Sequence, residues 1–383
     1  MKQHFPVERF ESIVTPFYAY DMSLLSSTLE AINEAAPESF FCVEYAIKAN
    51  HNPDILKAIS AAGLGADCVS GGEIRRALEC GFDASKITYA GVGKRDDEIR
   101  LGIESGIGCF NVESFEEMEV IAAIAAEMGR KAPVAIRVNP DIDAHTHHYI
   151  TTGLAENKFG IAKELLDKAV DTVLSYPSLE LKGLHFHIGS QVLDYEPFGI
   201  LCRRINDMQD HLESRGVHLQ TINVGGGLGI DYDNPDENPI PDFKAYFEML
   251  RSNIRLREGQ HLHCELGRSV VAQCGSLIAR VLYVKEGIGK KFVICDAGMT
   301  DLIRPALYGA HHVIENLTAA ADSPTEEYDV VGPVCESSDV FATSERLPLT
   351  RRGDLLAFRS AGAYGEVMSS GYNCRVLNPS VEF

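Results

Sequence analysis

The sequence predicts an α/β protein in which a (β/α)8 barrel of the TIM type is joined to a second, mainly β domain. Three observations lead to this prediction. Apolar runs typical of buried strands alternate with stretches of helical spacing as far as Ser269. Beyond Ser269 the chain has short strand-like runs separated by turns. Polar and glycine-rich motifs follow several of the predicted barrel strands, where barrel enzymes build their active sites.

The first part of the chain contains the number of strand signals that a (β/α)8 barrel requires. The predicted strands are Phe41–Ile47, Ala66–Val69, Ile87–Gly91, Cys109–Val112, Val134–Val138, Leu181–His187, Thr221–Val224 and His261–Glu265. The predicted helices between them include Asp54–Ala62, Glu73–Cys80, Phe115–Met128, Lys163–Ser175 and Phe243–Leu256.

The second domain is predicted from strand-like runs in the last part of the chain. These runs are Ser276–Val284, Lys291–Cys295, Tyr328–Val334 and Leu355–Arg359. Thr15–Tyr20 also resembles a strand, and we expect it to pair into this domain because chain ends often lie close together. We therefore expect the barrel over residues 24–270. A β-sandwich or barrel-like domain is expected over residues 1–23 and 271–383.

The composition narrows the possible partners of this chain of 383 residues. A formal net charge of -20 disfavours nucleic acid, whose binding needs a basic surface. The first residues have no signal-peptide core, and no stretch has the length of a membrane span, so we expect a cytoplasmic protein without membrane contact. The 10 cysteines include no C-x-x-C pair, which predicts neither a metal site nor a disulfide framework.

Residues that carry chemistry gather at the carboxyl ends of four predicted barrel strands. They are Lys48 in YAIKAN, His187 and Ser190 in HFHIGS, Gly225–Gly227 in NVGGGLG, and Glu265 and Arg268 in CELGR. The coincidence of four such motifs predicts an active site at this end of the barrel more strongly than any one motif does.

Lys48 has two explanations. A lysine at a strand end ordinarily extends its amine to water. In the functional interpretation it is a Schiff-base lysine, whose amine must be partly desolvated to act as a nucleophile. The neighbouring motifs favour the second explanation.

The triple glycine Gly225–Gly227 is either a tight turn or a phosphate cradle. Glycine is required where the backbone takes a positive φ. Barrels also commonly bind phosphate at the loops after strands seven and eight, and backbone N–H groups without side chains approach phosphate closely. Arg268 is placed to add charge there or to hold a substrate carboxylate, unless it forms an ordinary surface ion pair.

Glu265 would be costly in the barrel mouth unless it is paired with a cation. A protonated pyridine nitrogen is a suitable partner, because a nearby anion raises the pKa of that nitrogen. His187 is placed to stack on such a ring, whereas a lone histidine is ordinarily a satisfied core residue.

Three motifs of the second domain complete the candidate set. GPVCESSD contains Cys335 and Glu336, DLIRPALY contains Arg304 and Tyr308, and AGAYGE contains Tyr364. A thiol beside acidic groups tends to stay protonated, which suits a proton donor. The residues alone do not distinguish this role of Cys335 from that of a buried structural thiol.

From these motifs the chain resembles the diaminopimelate decarboxylase family of alanine-racemase-like (fold type III) pyridoxal-phosphate enzymes. The resemblance extends from about residue 12 to Arg375. It is carried by YAIKAN, ADCVSGGE, HTHHYITTGLAENKFGI, HFHIGSQ, GGGLGIDY, DAGMTDLIRPALY, GPVCESSD and GAYGEVMSSGYN. Decarboxylases for ornithine, arginine and carboxynorspermidine share the lysine, histidine and glycine signatures. The LIRPALY and CES segments are more similar to the diaminopimelate branch.

The resemblance implies decarboxylation of meso-diaminopimelate to L-lysine, the last step of lysine biosynthesis, with pyridoxal 5'-phosphate as cofactor. It implies three catalytic residues: Lys48 bound to the cofactor, His187 stacked on its ring, and Cys335 as proton donor. Implied cofactor contacts are Lys48, Asp67, His187, Ser190, Gly225, Gly226, Gly227, Glu265, Gly267, Arg268 and Tyr364. Implied substrate contacts are Arg268, Arg304, Tyr308, Glu336 and Tyr364. An obligate head-to-tail homodimer is also implied, in which Cys335 and Glu336 reach the active site of the partner subunit.

Two departures from the family pattern stand out. Leu266 replaces the usual proline, and Gly371 stands where asparagine is more common, but neither removes a catalytic group. The segment His145–Lys158, with Gly153 and Gly160 near its end, has the length of a lid over the site.

Other functions remain open from the sequence: a carboxynorspermidine or ornithine/arginine-type decarboxylase, a racemase, or an inactive relative that only binds partners. A racemase must protonate from both faces of the ring, whereas GPVCESSD suggests one donor. An inactive relative would be expected to lose Lys48, Glu265 or the glycine run. Diaminopimelate needs a cation for its second carboxylate and an anion for its second amine, for which Arg304 and Glu336 are candidates. An ornithine-type site needs only the anion.

Overall fold

The computed structural model describes residues 4–142, 158–320, 322–377 and 379–383. Residues 145–157 of the predicted lid lie outside this part of the chain. The strands are β1 (Phe17–Tyr20), β2 (Phe41–Ala46), β3 (Gly65–Cys68), β4 (Ile87–Tyr89), β5 (Cys109–Val112), β6 (Ala132–Asn139), β7 (Ile161–Ala162), β8 (Leu179–His185), β9 (Thr221–Asn223), β10 (His261–Leu266), β11 (Gly275–Glu286), β12 (Lys291–Cys295), β13 (Ile314–Asn316), β14 (Thr325–Val331), β15 (Val340–Pro348), β16 (Leu355–Phe358) and β17 (Ser380–Glu382).

The helices alternate with the strands in the first part of the chain and become sparse after β11. They are α1 (Val7–Glu11), α2 (Met22–Ala35), α3 (Pro53–Ala61), α4 (Gly71–Glu79), α5 (Asp96–Ser105), α6 (Phe115–Glu127), α7 (Leu166–Ser175), α8 (Glu196–Ser214), α9 (Phe243–Asn253), α10 (Arg268–Val271) and α11 (Arg304–Tyr308). None of the helices in the described ranges has the length and apolar character needed to cross a membrane.

Eight parallel strands close into a barrel, which confirms the predicted fold class. Their order is β5-β4-β3-β2-β10-β9-β8-β6, and pairing of β5 with β6 closes the ring. The short strand β7 pairs with β6 outside this ring. Each of the eight coincides with a run predicted from the sequence. In this arrangement the carboxyl ends of all eight strands lie at one end of the barrel.

Serine caps fix two of the turns that lead from a strand end into a helix. The Ser70 hydroxyl accepts a hydrogen bond from the N–H of Glu73 at 3.2 Å, and the Glu73 carboxylate accepts one from the N–H of Val69 at 2.7 Å. Ser114 and Glu117 repeat this geometry at the start of α6. Such reciprocal caps satisfy N–H groups at a helix start, so the ends of β3 and β5 pass into their helices through short, fixed turns.

The chain forms two compact units. One contains Leu29–Gly229 and Asp242–Gly267, and therefore the barrel. The other contains Met1–Thr28, Ile230–Pro241 and Arg268–Phe383.

The second unit contains an eight-stranded sheet with a central path β13-β16-β11-β12-β14-β15. The N-terminal strand β1 pairs antiparallel with β11, with Phe17 opposite Ile278, and parallel with β17. This confirms that the N-terminal strand joins the mainly β domain. The side chains of Phe5, Phe10 and Phe17 pack with Ile278 in a buried cluster, so the N-terminal segment supplies part of this unit's core.

Candidate active site

Lys48 lies just beyond the first barrel strand. Strand β2 ends at Ala46, and Lys48 sits in a short 3-10 turn over Ile47–Ala49. Its Nζ is 2.9 Å from Oδ2 of Asp67, which is buried at the end of β3. The Lys48 side chain is 39% exposed, so its amine is fixed by a carboxylate and still accessible.

Glu265 is a buried carboxylate held by neutral hydrogen-bond donors. The side-chain amide of Asn223 donates to Oε1 of Glu265 at 2.9 Å, and that of Asn111 donates at 3.3 Å. Nε2 of His185 lies 3.1 Å from the same carboxylate. Asn111 is on β5 and Glu265 on β10, which are not neighbours in the sheet, so their hydrogen bond crosses the barrel interior.

The protonation of this cluster follows from burial and from the cations near it. Burial raises the pKa of Glu265, and the charges of Lys48 and Arg137 oppose that rise. Burial, together with Arg137, lowers the pKa of His185 to about 3. His185 is therefore neutral near pH 7, and its Nε2–H donates to the carboxylate.

His187 is held through its other ring nitrogen. The backbone N–H of Gly226 donates to Nδ1 of His187 at 3.2 Å, so Nδ1 carries a lone pair and Nε2 carries the proton. Burial, with the charges of Arg137 and Lys48, lowers the pKa of His187 well below its ordinary value. The ring is therefore neutral and fixed in orientation.

The glycine run is required by close packing as well as by its turn. A Cβ on Gly226 would stand 2.1 Å from the carbonyl oxygen of Glu265, and one on Gly225 would stand 2.3 Å from that of Phe186. Gly225 and Gly227 also have φ values of 70° and 118°. The backbone of this loop therefore lies directly against the ends of the neighbouring strands.

Arg137 and Glu113 form a buried ion pair near Glu265 and His187. Arg137 NH1 is 2.9 Å from Oε1 of Glu113, and both side chains are less than one-tenth exposed. The carboxylate of Glu113 also accepts the N–H groups of Gly91 and Gly160, each at 3.0 Å. Glu113 thus ties the loop after β4 and the segment before β7 to the arginine.

A further buried acid–base pair lies on β2 and β10. Glu44 on β2 stands in register with Glu265 on β10, and its Oε1 is 2.7 Å from Nδ1 of His263. Burial by itself would lower the pKa of His263, but Glu44 and Cys42 outweigh it and raise that pKa to about 10. The protonated His263 therefore compensates a carboxylate that would otherwise repel Glu265.

Arg268 and Tyr364 form part of a separate cluster in the second unit. Arg268 NH1 donates to the hydroxyl of Tyr232 at 2.7 Å, and its Cζ lies 4.9 Å from the centroid of the Tyr364 ring. Tyr364 adopts a positive φ of 56°. Burial by itself would lower the pKa of Arg268, but Tyr232, Tyr364 and Tyr308, which ends α11, together raise it.

Arg304 belongs to the same cluster and is only 5% exposed. Its Cζ lies 4.8 Å from the centroid of the Tyr232 ring, and its NH1 is 2.8 Å from Nε2 of His312. Within the described ranges, no carboxylate forms an ion pair with Arg304. A buried guanidinium without an anion is costly, so this geometry is suited to receiving one.

Cys335 and Glu336 lie on an exposed loop that is hydrogen-bonded to the turn containing Tyr372 and Asn373. The N–H of Cys335 donates to Oδ1 of Asn373 at 3.0 Å, and the hydroxyl of Tyr372 donates to Oε1 of Glu336 at 2.7 Å. Buried Asp339 accepts the N–H of Val334 at the start of the loop. The loop is therefore exposed but held at several points.

The structure thus groups the predicted residues into three sets. Lys48 with Asp67, Glu265, and His187 with the glycine run lie at the carboxyl ends of barrel strands. Ser190 is half-buried in the segment after β8, and Gly267 packs against Ala46 and Ala49. Arg268, Arg304, Tyr308 and Tyr364 share the tyrosine-lined cluster of the second unit. Cys335 and Glu336 form the third set. Cys335 is hydrogen-bonded to Asn373, and Glu336 is hydrogen-bonded to Tyr372.

Several residues that shape the site were not identified from the sequence. They are Asn111, Arg137, His185, Asn223, Glu44 and His263 in the barrel, and Tyr232 and His312 in the second unit. Glu44, Asn111 and Arg137 share one signal: each is a polar residue within a largely apolar strand. His185 and His263 also stand two positions before His187 and Glu265, and alternate residues of a strand share a face.

Known proteins resemble this chain over nearly its full length. The family model described as pyridoxal-dependent decarboxylase, pyridoxal binding domain, matches residues 24–272. A diaminopimelate decarboxylase of Bacteroides thetaiotaomicron is 58% identical over 98% of this chain and 97% of its own. One of Zymomonas mobilis is 44% identical over 95% of this chain and 86% of its own.

A solved structure has the same fold as this chain. The crystal structure of diaminopimelate decarboxylase from Helicobacter pylori complexed with L-lysine superposes with a TM-score of 0.92 at 41% identity. The superposition covers 98% of this chain and 93% of that one.

The Glu44–His263 pair leads to a stability prediction. We expect Glu44→Gln to lower the free energy of unfolding by about 3 kcal/mol at pH 7. This is the low end of the range for breaking a buried pair, because His263 keeps part of its surface in water. A raised histidine pKa contributes stability that is complete below the unfolded value of about 6.5 and lost as pH rises through the folded value. The difference between wild type and variant should therefore shrink from pH 6.5 towards pH 10.

Urea unfolding of the single variants and of Glu44→Gln/His263→Gln checks this prediction. The double variant should recover most of the loss, since it leaves no buried charge unpaired. Additive losses in the double variant, or a pH-independent difference, would show that the two side chains are not coupled.

Proposed function

The chain belongs to the family of pyridoxal-dependent decarboxylases, and on this premise we propose that it converts meso-diaminopimelate into L-lysine and carbon dioxide. It is a carboxy-lyase that uses pyridoxal phosphate and catalyses the last step of lysine biosynthesis. The observation that carries the cofactor chemistry is Glu265, a buried carboxylate at the barrel end that also carries Lys48. Among the described residues, its hydrogen-bond donors are the neutral Asn223, Asn111 and His185.

The residues of the barrel fit pyridoxal phosphate. Lys48 offers an accessible amine, and Oδ2 of Asp67 lies 2.9 Å from its Nζ. The glycine run has no side chains to cover its backbone N–H groups, which allows a phosphate to approach this loop. Gly225 and Gly226 already donate their N–H groups to Asn223 and His187, so we assign phosphate binding to the rest of the loop and to Ser190.

The cofactor supplies the chemistry when bound, because its ring withdraws the electrons that departing carbon dioxide leaves behind. Glu265 would hold the ring nitrogen in its protonated form, since a carboxylate whose pKa is raised by burial gains from an adjacent cation. His187, neutral and fixed by Gly226, would support the ring face. Lys48 would hold the cofactor covalently and later release the product amine.

Recognition of the second amino-acid centre falls to the second unit. Arg304 is buried without a carboxylate partner in the described ranges, and a substrate carboxylate would supply that anion. Arg268, Tyr308 and Tyr364 lie in the same cluster and would complete the contact. A substrate without the second carboxylate would leave Arg304 buried and unpaired, which rejects it strongly. This requirement favours diaminopimelate over ornithine or arginine.

We further propose that Cys335 donates the proton that replaces carbon dioxide and that Glu336 binds the second amine. Both residues are exposed on a loop held by Asn373 and Tyr372. An exposed thiol protonates a specific carbon only if something covers it. An obligate head-to-tail homodimer, in which this loop completes the active site of the partner subunit, provides that cover.

We place the enzyme in the cytoplasm. All ten cysteines are unpaired, as expected in a reducing compartment. Cell fractionation would contradict this placement if the activity left with membranes or with secreted protein.

The substrate assignment is tested by carbon dioxide release. Purified protein with pyridoxal phosphate should release carbon dioxide from meso-diaminopimelate, with L-lysine as product. It should release little or none from ornithine, arginine or carboxynorspermidine. Lys48→Ala is the control: it should lack the visible absorbance of the bound cofactor and release no carbon dioxide.

Other outcomes separate the remaining candidates. Release from ornithine, arginine or carboxynorspermidine instead would overturn the substrate but keep the reaction. A coloured wild-type protein that releases nothing from any of the four would favour a racemase, and a colourless one would favour an inactive relative.

Replacement of Arg304 tests recognition of the second carboxylate. Arg304→Ala should raise KM for diaminopimelate by about thirtyfold to a thousandfold, since truncating a buried charge partner costs about 2–4 kcal/mol. Cofactor absorbance should be unchanged. Arg257→Ala, which removes an arginine paired with Asp210 and Glu213, is the control and should leave KM as in wild type. An unchanged KM in Arg304→Ala would remove Arg304 from the substrate site.

Mixed dimers test the sharing of sites. Co-expression of Lys48→Ala and Cys335→Ala chains with different tags allows the hybrid to be purified. If sites are shared, one site of each hybrid carries both defects and the other carries none, so about half of the wild-type activity should return. A hybrid no more active than the two parental variants would mean that each chain supplies its own Cys335.

A further inference from the structure

His312 connects the buried guanidinium of Arg304 to the backbone of the sheet. Nε2 of His312 is 2.8 Å from NH1 of Arg304, and its Nδ1 is 2.8 Å from the carbonyl oxygen of Arg359. Both side chains are nearly inaccessible, with His312 3% and Arg304 5% exposed. The contacts lie entirely within the second unit.

The chemistry of the two neighbours determines the state of the ring. A guanidinium can only donate and a carbonyl can only accept, so Nε2 must accept and Nδ1 must donate. His312 is therefore neutral and protonated at Nδ1. Burial and the charge of Arg304 lower its pKa to about 3, in agreement with this state.

The carbonyl that anchors His312 is itself firmly placed. The N–H of Arg359 donates to the carbonyl of Val313 at 2.8 Å, just after β16 ends. The Arg359 side chain pairs with Asp236 at 2.9 Å and with Glu315. The ring of Tyr232 also meets the His312 ring edge to face, with centroids 5.4 Å apart. The Arg359 carbonyl and the Tyr232 ring thus hold His312 in place independently of its contact with Arg304.

We propose that His312 is a positioning residue that aims Arg304 at the second carboxylate of the substrate and so sets specificity for amino acids that carry one. This inference rests on the proposed function. His312 takes one N–H of the guanidinium and Tyr232 accepts another, so further N–H groups are left for the anion. As a neutral acceptor it fixes the direction of Arg304 without cancelling its charge, which a carboxylate in the same place would do.

L-Lysine and cadaverine distinguish this role, because lysine keeps the carboxylate in question and cadaverine lacks it. His312→Asn retains a donor near Nδ1 for the Arg359 carbonyl but does not reach Arg304. His312→Gln places an amide oxygen near the former Nε2 and can accept from Arg304. His311→Ala, which replaces the exposed neighbour paired with Asp233, is the control.

We expect His312→Asn to weaken competitive inhibition by L-lysine and to raise KM for diaminopimelate, each by about tenfold to a hundredfold, as for loss of a hydrogen bond to a charged group. Inhibition by cadaverine, kcat and cofactor absorbance should change little. His312→Gln should recover most of the lysine affinity, and His311→Ala should match wild type. Circular dichroism and thermal unfolding verify that the variants are folded.

Three results would overturn the inference: lysine affinity in His312→Asn as in wild type, equal weakening for lysine and cadaverine, or no recovery in His312→Gln. Failure of the proposed function is separately visible, because wild-type protein would then release no carbon dioxide from diaminopimelate before any variant is compared.

Discussion

The burial of Glu265 inside the barrel constrains most of what surrounds it. An ionised carboxylate in that position is costly unless hydrogen bonds or cations stabilise it. Asn111, Asn223 and His185 all approach it as neutral donors, from three different strands. An arginine in the same place would stabilise the carboxylate equally well but would cancel its charge. Neutral donors hold Glu265 in position without cancelling its charge, which suits the role proposed for it beside a protonated ring nitrogen.

The same principle recurs with the opposite sign in the second unit. Arg304 is a buried cation held by the ring of Tyr232 and by the neutral nitrogen of His312. Both contacts orient the guanidinium without supplying an anion. Each unit therefore contains a buried charge that is fixed by neutral groups, Glu265 in one and Arg304 in the other. Other buried charges are paired directly with an opposite charge, as in Arg137–Glu113 and Glu44–His263.

The sequence was sufficient to predict the barrel because short runs rich in apolar residues alternate with stretches of helical spacing. Strand-end motifs such as that of Lys48 follow from the same geometry, since strand ends meet at one end of a barrel. In the second unit β15 is harder to identify, because polar residues occupy much of it and Ser344 takes a positive φ of 54°.

The residues that contact the charged groups could not be predicted from the sequence for a different reason. Asn111 and Glu265 lie on strands that are not neighbours and meet across the interior of the closed barrel, which no local pattern encodes. His312 follows Arg304 closely in the chain, yet its role depends on the carbonyl of Arg359, far along the sequence. Polar residues inside apolar strands can be identified in the sequence. Which of them contact each other depends on how the barrel closes.

The protonation states of the histidines bear on the source of the proton that replaces carbon dioxide. The pKa values of His185 and His312 are lowered to about 3, and that of His187 is well below its ordinary value, so none is an imidazolium near pH 7. His263 is protonated, but it precedes Glu265 by two positions in β10 and is bound to Glu44. A general acid must carry its proton at the working pH and reach the reacting carbon. The buried imidazoles of His185, His187 and His312 fail the first condition, and His263 is bound to Glu44, so none of these four histidines is suited to donate the proton.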